Sequence, residues 1–320
     1  MQFTIDALAF YQALSRVKIR CQRYPYLLLR AREGQLTLLT VSTAAAAAAA
    51  ATPRMQASFS LAPSALLEEG DCVVHYRQLK HSAKSLPGTL TIVQQEHAVV
   101  VTSEGPLTRQ IPVAMQAMEL FPQKLFEIPE EHACLTTKRT VRRQCEACQR
   151  WHNVEVEDTY QVMQVLRQQV SINRDLLASM CQQVRWVAKP EPEREHPELT
   201  GILVTLKNDV FSLIAADGHC LVIRTETLVG AGSWSQEAAS DATSLQRALR
   251  LLPEGAELFL ESVSTQQQLL QKDHEMGGQS SESLVVPHLV RLSTPAMQIM
   301  VNALRSEQVL PSNMNLDHIW

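Results

Sequence analysis

The feature that most constrains this chain is an internal repeat, because a duplicated order of elements predicts one module built twice. The segment Thr4 to Val17 is echoed by the segment from Ser171 to Val184. In the first, Phe10, Leu14 and Val17 are spaced by four and three residues, and Leu177, Cys181 and Val184 keep the same spacing in the second. Such spacing makes one apolar helical stripe in each, with Asp6 and Asn173 as N-caps. A strand-like pair follows each helix. In one half it is Tyr26 to Leu29 and Leu36 to Thr40 around Glu33-Gly34, and in the other Ile202 to Leu206 and Val210 to Ala215 around Asn208-Asp209. Turn residues between β-rich flanks predict hairpins.

A second helix then recurs. Tyr76, Leu79, Ala83 and Leu86 form its stripe before Pro87-Gly88, and Leu245, Ala248, Leu249 and Leu252 form the other before Pro253-Glu254-Gly255. Strand-like runs follow both, Leu90 to Val93 and Ala98 to Thr102, then Leu258 to Glu261 and Ser283 to Val286. The order helix, strands, helix, strands occurs twice. It predicts an α+β fold of two repeated modules, each with its helices packed on one face of an antiparallel sheet.

The length of 320 residues suits two domains. The division expected is residues 1–128 for the first module, 129–160 for a basic linker or insertion rich in Cys and His, and 161–320 for the second. Seven cysteines at irregular spacing do not make a disulfide framework. Met1 to Ala13 contains Asp6 and no basic run, which argues against a signal peptide. No apolar run is long enough to cross a bilayer. The expectation is a cytoplasmic protein with no membrane partner.

The formal net charge of −4 argues against a chain coated in positive charge, though not against one that gathers its cations on a single surface. The second-type helices do gather them. Arg77, Lys80 and Lys84 recur at three and four residues with no acid between them, and Arg247 and Arg250 repeat the pattern. The first-type helices add Arg16, Lys18 and Arg20, and Arg185 and Lys189, near their C-terminal ends. For any one helix, a solvated face and compensation of the macrodipole explain such residues. Four basic helices in an acidic chain point further, to contact with a phosphate backbone without base readout. No glycine-rich phosphate loop, paired-carboxylate motif or nucleophile elbow stands out, so no catalysis is expected.

At this point a resemblance can be stated. The run Phe211-Ser212-Leu213-Ile214-Ala215-Ala216-Asp217-Gly218-His219-Cys220-Leu221 resembles the ATDGHRLA segment in the central domain of the bacterial DNA polymerase III β subunit, the DNA sliding clamp family. Leu199 to Leu203 resembles the strand preceding it, Met1 to Ile5 the family's N-terminus, and Ser85-Leu86-Pro87-Gly88 and Leu251 to Gly255 its helix-to-strand turns. The resemblance implies a helix-lined ring of six modules that encircles duplex DNA and tethers a DNA polymerase or other replication and repair proteins, with no cofactor required. The family carries three modules per chain and this sequence carries two, so a six-module ring would need a homotrimer. The alternative is a clamp-derived accessory or regulatory protein that forms no ring. The resemblance also implies one wall of a partner-peptide groove at Leu199, Thr200, His219 and Leu221, with Cys220 where the family carries Arg.

Three features lie outside that pattern. Cys134, the pair Cys145 and Cys148, and His152 could complete a tetrahedral structural zinc site in a basic segment that also carries Lys138, Arg139, Arg142, Arg143 and Arg150. The other reading is a basic linker with reduced, unliganded thiols. A redox enzyme using Cys145 and Cys148 would lack the βαβ context of such sites. The run Ala44 to Ala51 is a helix by propensity and a strand by its place in the repeat. The tail Asn315 to Trp320 is loosely similar to short apolar peptides that dock into clamp grooves.

Overall fold

The computed structural model describes residues 1–18, 25–43, 53–103, 108–118, 121, 126, 128–144, 150–188, 201–217, 219–272 and 283–304. The first module runs β1 (Gln2–Asp6), α1 (Ala7–Arg16), β2 (Tyr26–Arg32), β3 (Gln35–Thr43), β4 (Pro53–Leu61), β5 (Ala65–Glu68), β6 (Gly70–His75), α2 (Tyr76–Ser85), β7 (Thr89–Gln94), β8 (Ala98–Ser103) and β9 (Arg109–Gln116). The second runs β10 (Cys134–Gln144), β11 (Trp151–Asn173), α3 (Arg174–Arg185), β12 (Gly201–Lys207), β13 (Val210–Ala216), β14 (Leu221–Thr227), β15 (Ala238–Asp241), α4 (Ala242–Leu251), β16 (Glu257–Lys272), β17 (Ser283–Ser293) and β18 (Met297–Leu304).

Local chemistry explains the boundaries. Asp6 accepts the backbone N–H of Ala9 at 2.8 Å, and Asn173 accepts those of Asp175 and Leu176, so both expected caps are in place. The β2–β3 turn places Glu33 and Gly34 at φ 52° and 75°, and the β12–β13 turn places Asn208 and Asp209 at 50° and 65°. Two positive φ values in a two-residue loop are the twist-matched geometry for a tight hairpin.

Seven strand pairings of the first module recur in the second. β1–β7 recurs as β11–β16, β2–β3 as β12–β13, β3–β4 as β13–β14 and β2–β6 as β12–β15. In the same way β7–β8 recurs as β16–β17, β8–β9 as β17–β18 and β6–β9 as β15–β18. All of these pairs are antiparallel.

One contact has no intramodular counterpart. β4 pairs antiparallel with β18, with Phe59 opposite Met297, Ala57 opposite Ile299 and Met55 opposite Val301. The sheet therefore runs without a break from one module into the other. Met55, Ala57, Phe59, Met297, Ile299 and Val301 share one buried cluster with Phe10 and Leu14 of α1, Leu79 of α2, Leu177 of α3 and Leu245 of α4. All four helices consequently pack on the same side of the sheet layer. α1 lies against α2 and α3 against α4, while α1 and α4 both reach β4.

Within residues 129–160, expected as a basic linker or insertion with a possible zinc hairpin, an antiparallel ribbon joins the sheet. β10 and β11 form a ribbon from the Cys134–Gln161 rung to the Gln144–Trp151 rung, and β11 continues unbroken to the N-cap of α3. β5, which flanks β1 in the first module, takes only a short version of this place. The alanine run and the C-terminal tail lie outside the described residues.

Replacing Asn173 with Ala removes the acceptor for two N-terminal N–H groups of α3. We expect a loss of about 1 kcal/mol, measured by urea unfolding, with Asn173→Asp retaining most of the parent stability.

Candidate nucleic-acid interface

The helices present their apolar stripes to the core and their cations to the opposite side. On α2, Tyr76, Leu79 and Ala83 are buried while Arg77 and Lys84 are exposed. On α4, Leu245, Ala248 and Leu249 are buried while Arg247 and Arg250 are exposed. Arg16 and Lys18 are exposed at the end of α1, and Arg185 is half-buried at the end of α3. Since the four helices share one side of the sheet, the structure brings these residues to a common face. Arg20 and Lys189 lie outside the described residues.

Packing brings the first-module cations close together. Tyr76 on α2 donates its hydroxyl to the Leu14 carbonyl of α1 at 2.7 Å, tying the two helices. Lys80 then stands 5.1 Å from the Tyr11 ring centroid and 5.9 Å from that of Tyr76. Partial burial lowers the Lys80 pKa, and the neighbouring charges of Lys18 and Lys84 push the same way, while Tyr11 opposes them. Tyr11 was not anticipated in the sequence, because its role depends on two helices meeting and no local spacing encodes it.

Several strand cations are paired with acids. Asp71 accepts Arg30 at 3.2 Å and Arg32 at 3.0 Å. Glu261 accepts Arg167 at 3.2 Å and Arg291 at 3.0 Å. Lys138 pairs with Glu157 at 2.7 Å, and Arg224 pairs with Glu226. By contrast, none of Arg16, Lys18, Arg77, Lys80, Lys84, Arg185, Arg247 and Arg250 forms an ion pair with any described residue. Among the described residues, the one helix cation that pairs with an acid is Arg174, which contacts Asp175 at 2.7 Å and the Leu249 carbonyl at 2.9 Å, joining α3 to α4.

The groove residues divide. His219 is exposed on a turn in which the backbone N–H groups of His219 and Cys220 donate to Asp217 Oδ1 at 2.8 and 2.6 Å. Leu221 is half-buried and packs with Ile223 and Leu304 against Leu203, Ile214, Ala216 and Ala239. Leu199 and Thr200 lie outside the described residues.

The proposed metal set needs correction. Cys134 occupies the rung with Gln161, whereas His152 occupies the rung with Arg143, nine residues further along the ribbon. At the strand rise these positions are about 30 Å apart, so the two side chains do not share one ion. Cys145 and Cys148 lie outside the described residues, and no group of metal-ligating side chains assembles among the described ones.

Comparison with known proteins places the fold. No protein-family model matches the sequence, and no curated protein matches it. Solved structures do match. The DNA polymerase III subunit beta from Pseudomonas aeruginosa aligns over 100% of this chain and 68% of its own, with a TM-score of 0.62 and 16% identity. The DNA polymerase III beta chain from Streptococcus pneumoniae aligns over 100% and 67%, with a TM-score of 0.63 and 14% identity. The Helicobacter pylori beta clamp aligns over 100% and 68%, at 0.61 and 10%. At these identities the likeness is one of fold: two sliding-clamp modules spanning about two thirds of each relative. No helix among the described residues is long and apolar enough to cross a membrane.

Burial also sorts the thiols. Desolvation raises the pKa of Cys72 and of Cys181 to about 12, whereas Cys134 and Cys220 are exposed. With an aromatic disulfide reagent at pH 8, Cys134 and Cys220 should be modified in the folded protein. Cys72 and Cys181 should react only after unfolding, as mapped by peptide mass spectrometry.

Proposed function

We propose that this protein is a non-enzymatic clamp-type platform that holds duplex DNA by its phosphates and tethers replication or repair proteins to it. The observation that carries the reading is a difference in charge pairing: the exposed helix cations, which share one face, have no carboxylate partner among the described residues, while strand cations such as Arg30, Arg32, Arg167 and Arg291 are paired with acids. A lysine or arginine already paired with a carboxylate must give up that partner to bind phosphate. Unpaired ones are free to displace counterions, which makes binding salt-dependent and indifferent to sequence.

The net charge of −4 fits this design, because repulsion elsewhere on the chain favours the helix face as the one presented to DNA. The fold shared with DNA polymerase III beta subunits supports a polymerase or another replication or repair protein as the tethered partner. It also supports a cytoplasmic setting. A complete ring of six modules would take three copies of this chain. Nothing in the reading requires a cofactor.

Arg77→Ala, Lys84→Ala, Arg247→Ala and Arg250→Ala should each weaken duplex binding about threefold near 0.1 M salt, equally for unrelated sequences. Each should also reduce the salt slope by about one. Arg30→Ala, which disrupts a strand ion pair, should leave affinity unchanged. Fluorescence anisotropy titrations across a salt series measure both quantities. Affinity that depends on sequence, or that survives the four combined substitutions, would overturn the proposal. Retention on closed circular DNA with loss upon linearisation identifies encirclement, and equal retention on both identifies one-sided contact.

A further inference from the structure

The seam between β4 and β18 defines what an intermolecular junction of the same kind would need. The Ser60 N–H donates to the Ala296 carbonyl at 2.9 Å, which fixes the alternation along the pair. Ser58 with Gln298, and Gln56 with Met300, are therefore the rungs that exchange backbone hydrogen bonds. Side chains of the intervening rungs, Met55 with Val301 and Ala57 with Ile299, enter the core.

The duplication maps this seam onto two edges that no described strand covers. β14 is the counterpart of β4 and, among the described residues, pairs only with β13, and β9 is the counterpart of β18. In the paired strand Met55, Gln56 and Ala57 are buried, whereas Leu221 to Glu226 are all half-exposed. Backbone groups face outward at the matching positions. Leu228 N–H to the Asp209 carbonyl, at 2.8 Å, leaves Leu221, Ile223 and Thr225 pointing to the free side of β14. Met115 N–H to the His97 carbonyl, at 3.4 Å, leaves Gln110 and residue 112 pointing to the free side of β9.

Matching the strands by their shared pairing register sets Pro112 in the place of Met300 and Arg109 in that of Met297. On the other edge, Leu221 takes the place of Gln56 and Arg224 that of Phe59. A second copy joined head to tail in the seam register would thus put Pro112 opposite Leu221 and Arg109 opposite Arg224. Proline has no N–H to donate, so the Leu221 carbonyl would be enclosed without a partner. A proline whose nitrogen faces outward belongs on an edge strand. The apolar rung of Phe59 and Met297 would become two guanidinium groups, one of them already engaged with Glu226.

We infer that β9 and β14 are protected edges, so that this chain does not join a second copy through a repeat of its internal seam. The inference bears on the topology of the DNA contact proposed above, but it rests on strand register alone and is tested without DNA.

Light scattering of the full chain at micromolar concentration should give the mass of one chain. The double variant Arg109→Met/Pro112→Met, which copies the seam residues onto an exposed edge, should associate at least about tenfold more strongly than the parent. A reporter pair, Ile111→Cys with Val222→Cys in a Cys220→Ser background, should form intermolecular disulfides readily with the double variant and not with the parent edge. A parent mass of two or more chains, or reporter cross-linking on the parent edge, overturns the inference. So does a double variant that folds with the parent's circular dichroism and remains a single chain, because Pro112 and Arg109 would then not be the protecting groups. Loss of DNA binding in a protein that remains a single chain would count against the platform function and leave the protected edges standing.

Discussion

Backbone pairing between β4 and β18 is the constraint on which the rest of this structure depends. Without it the chain would be two small modules on a tether, and the orientation of one helix pair would say nothing about the other. With it, Met55, Ala57 and Phe59 from one module and Met297, Ile299 and Val301 from the other close over a single core. Burying that apolar surface and satisfying the edge of β4 are achieved together. The helices follow as a consequence. Each must cover the apolar face of its own sheet, and since the sheet is continuous, all four cover the same side.

That common side has an electrostatic character opposite to the net charge of the chain. The strands carry many cations as well, and antiparallel neighbours place acids beside several of them, as in Arg30 and Arg32 around Asp71 and Arg167 and Arg291 around Glu261. Between their caps the helices carry a single acid, Asp175 in the first turn of α3, which pairs with Arg174. Cations there meet Tyr11 and Tyr76, or each other, and remain available to an external polyanion. Exposed charges of this kind contribute little to folding and much to long-range attraction, so they are better explained by a partner than by stability.

Departures from the repeat are informative because the repeat is otherwise so regular. β11 is extended at its start into a ribbon with β10, where the first module has only the short pair of β1 and β5. This extension carries Cys134 and His152, and straight strands hold them far apart. The sequence reading grouped them with Cys145 and Cys148 as the ligands of a possible zinc-stapled hairpin. A β-ribbon instead converts sequence separation into distance at a fixed rise.

From the sequence alone came the two modules, their α+β class, the caps at Asp6 and Asn173, the hairpins at Glu33-Gly34 and Asn208-Asp209, and the cations of each helix. These are properties of short windows, where periodicity, turn chemistry and capping act between near neighbours. The strands β4, β9, β15 and β18 escaped notice, and with them the seam. Their residues lack a decisive local pattern, and what makes them strands is the edge each one meets. Only the tertiary structure decided that four basic helices share a face, that Tyr11 supports Lys80, and that Pro112 stands where the internal seam has a donor. Each of these depends on the pairing of residues far apart in the chain, and register between distant strands is settled by the core they enclose together.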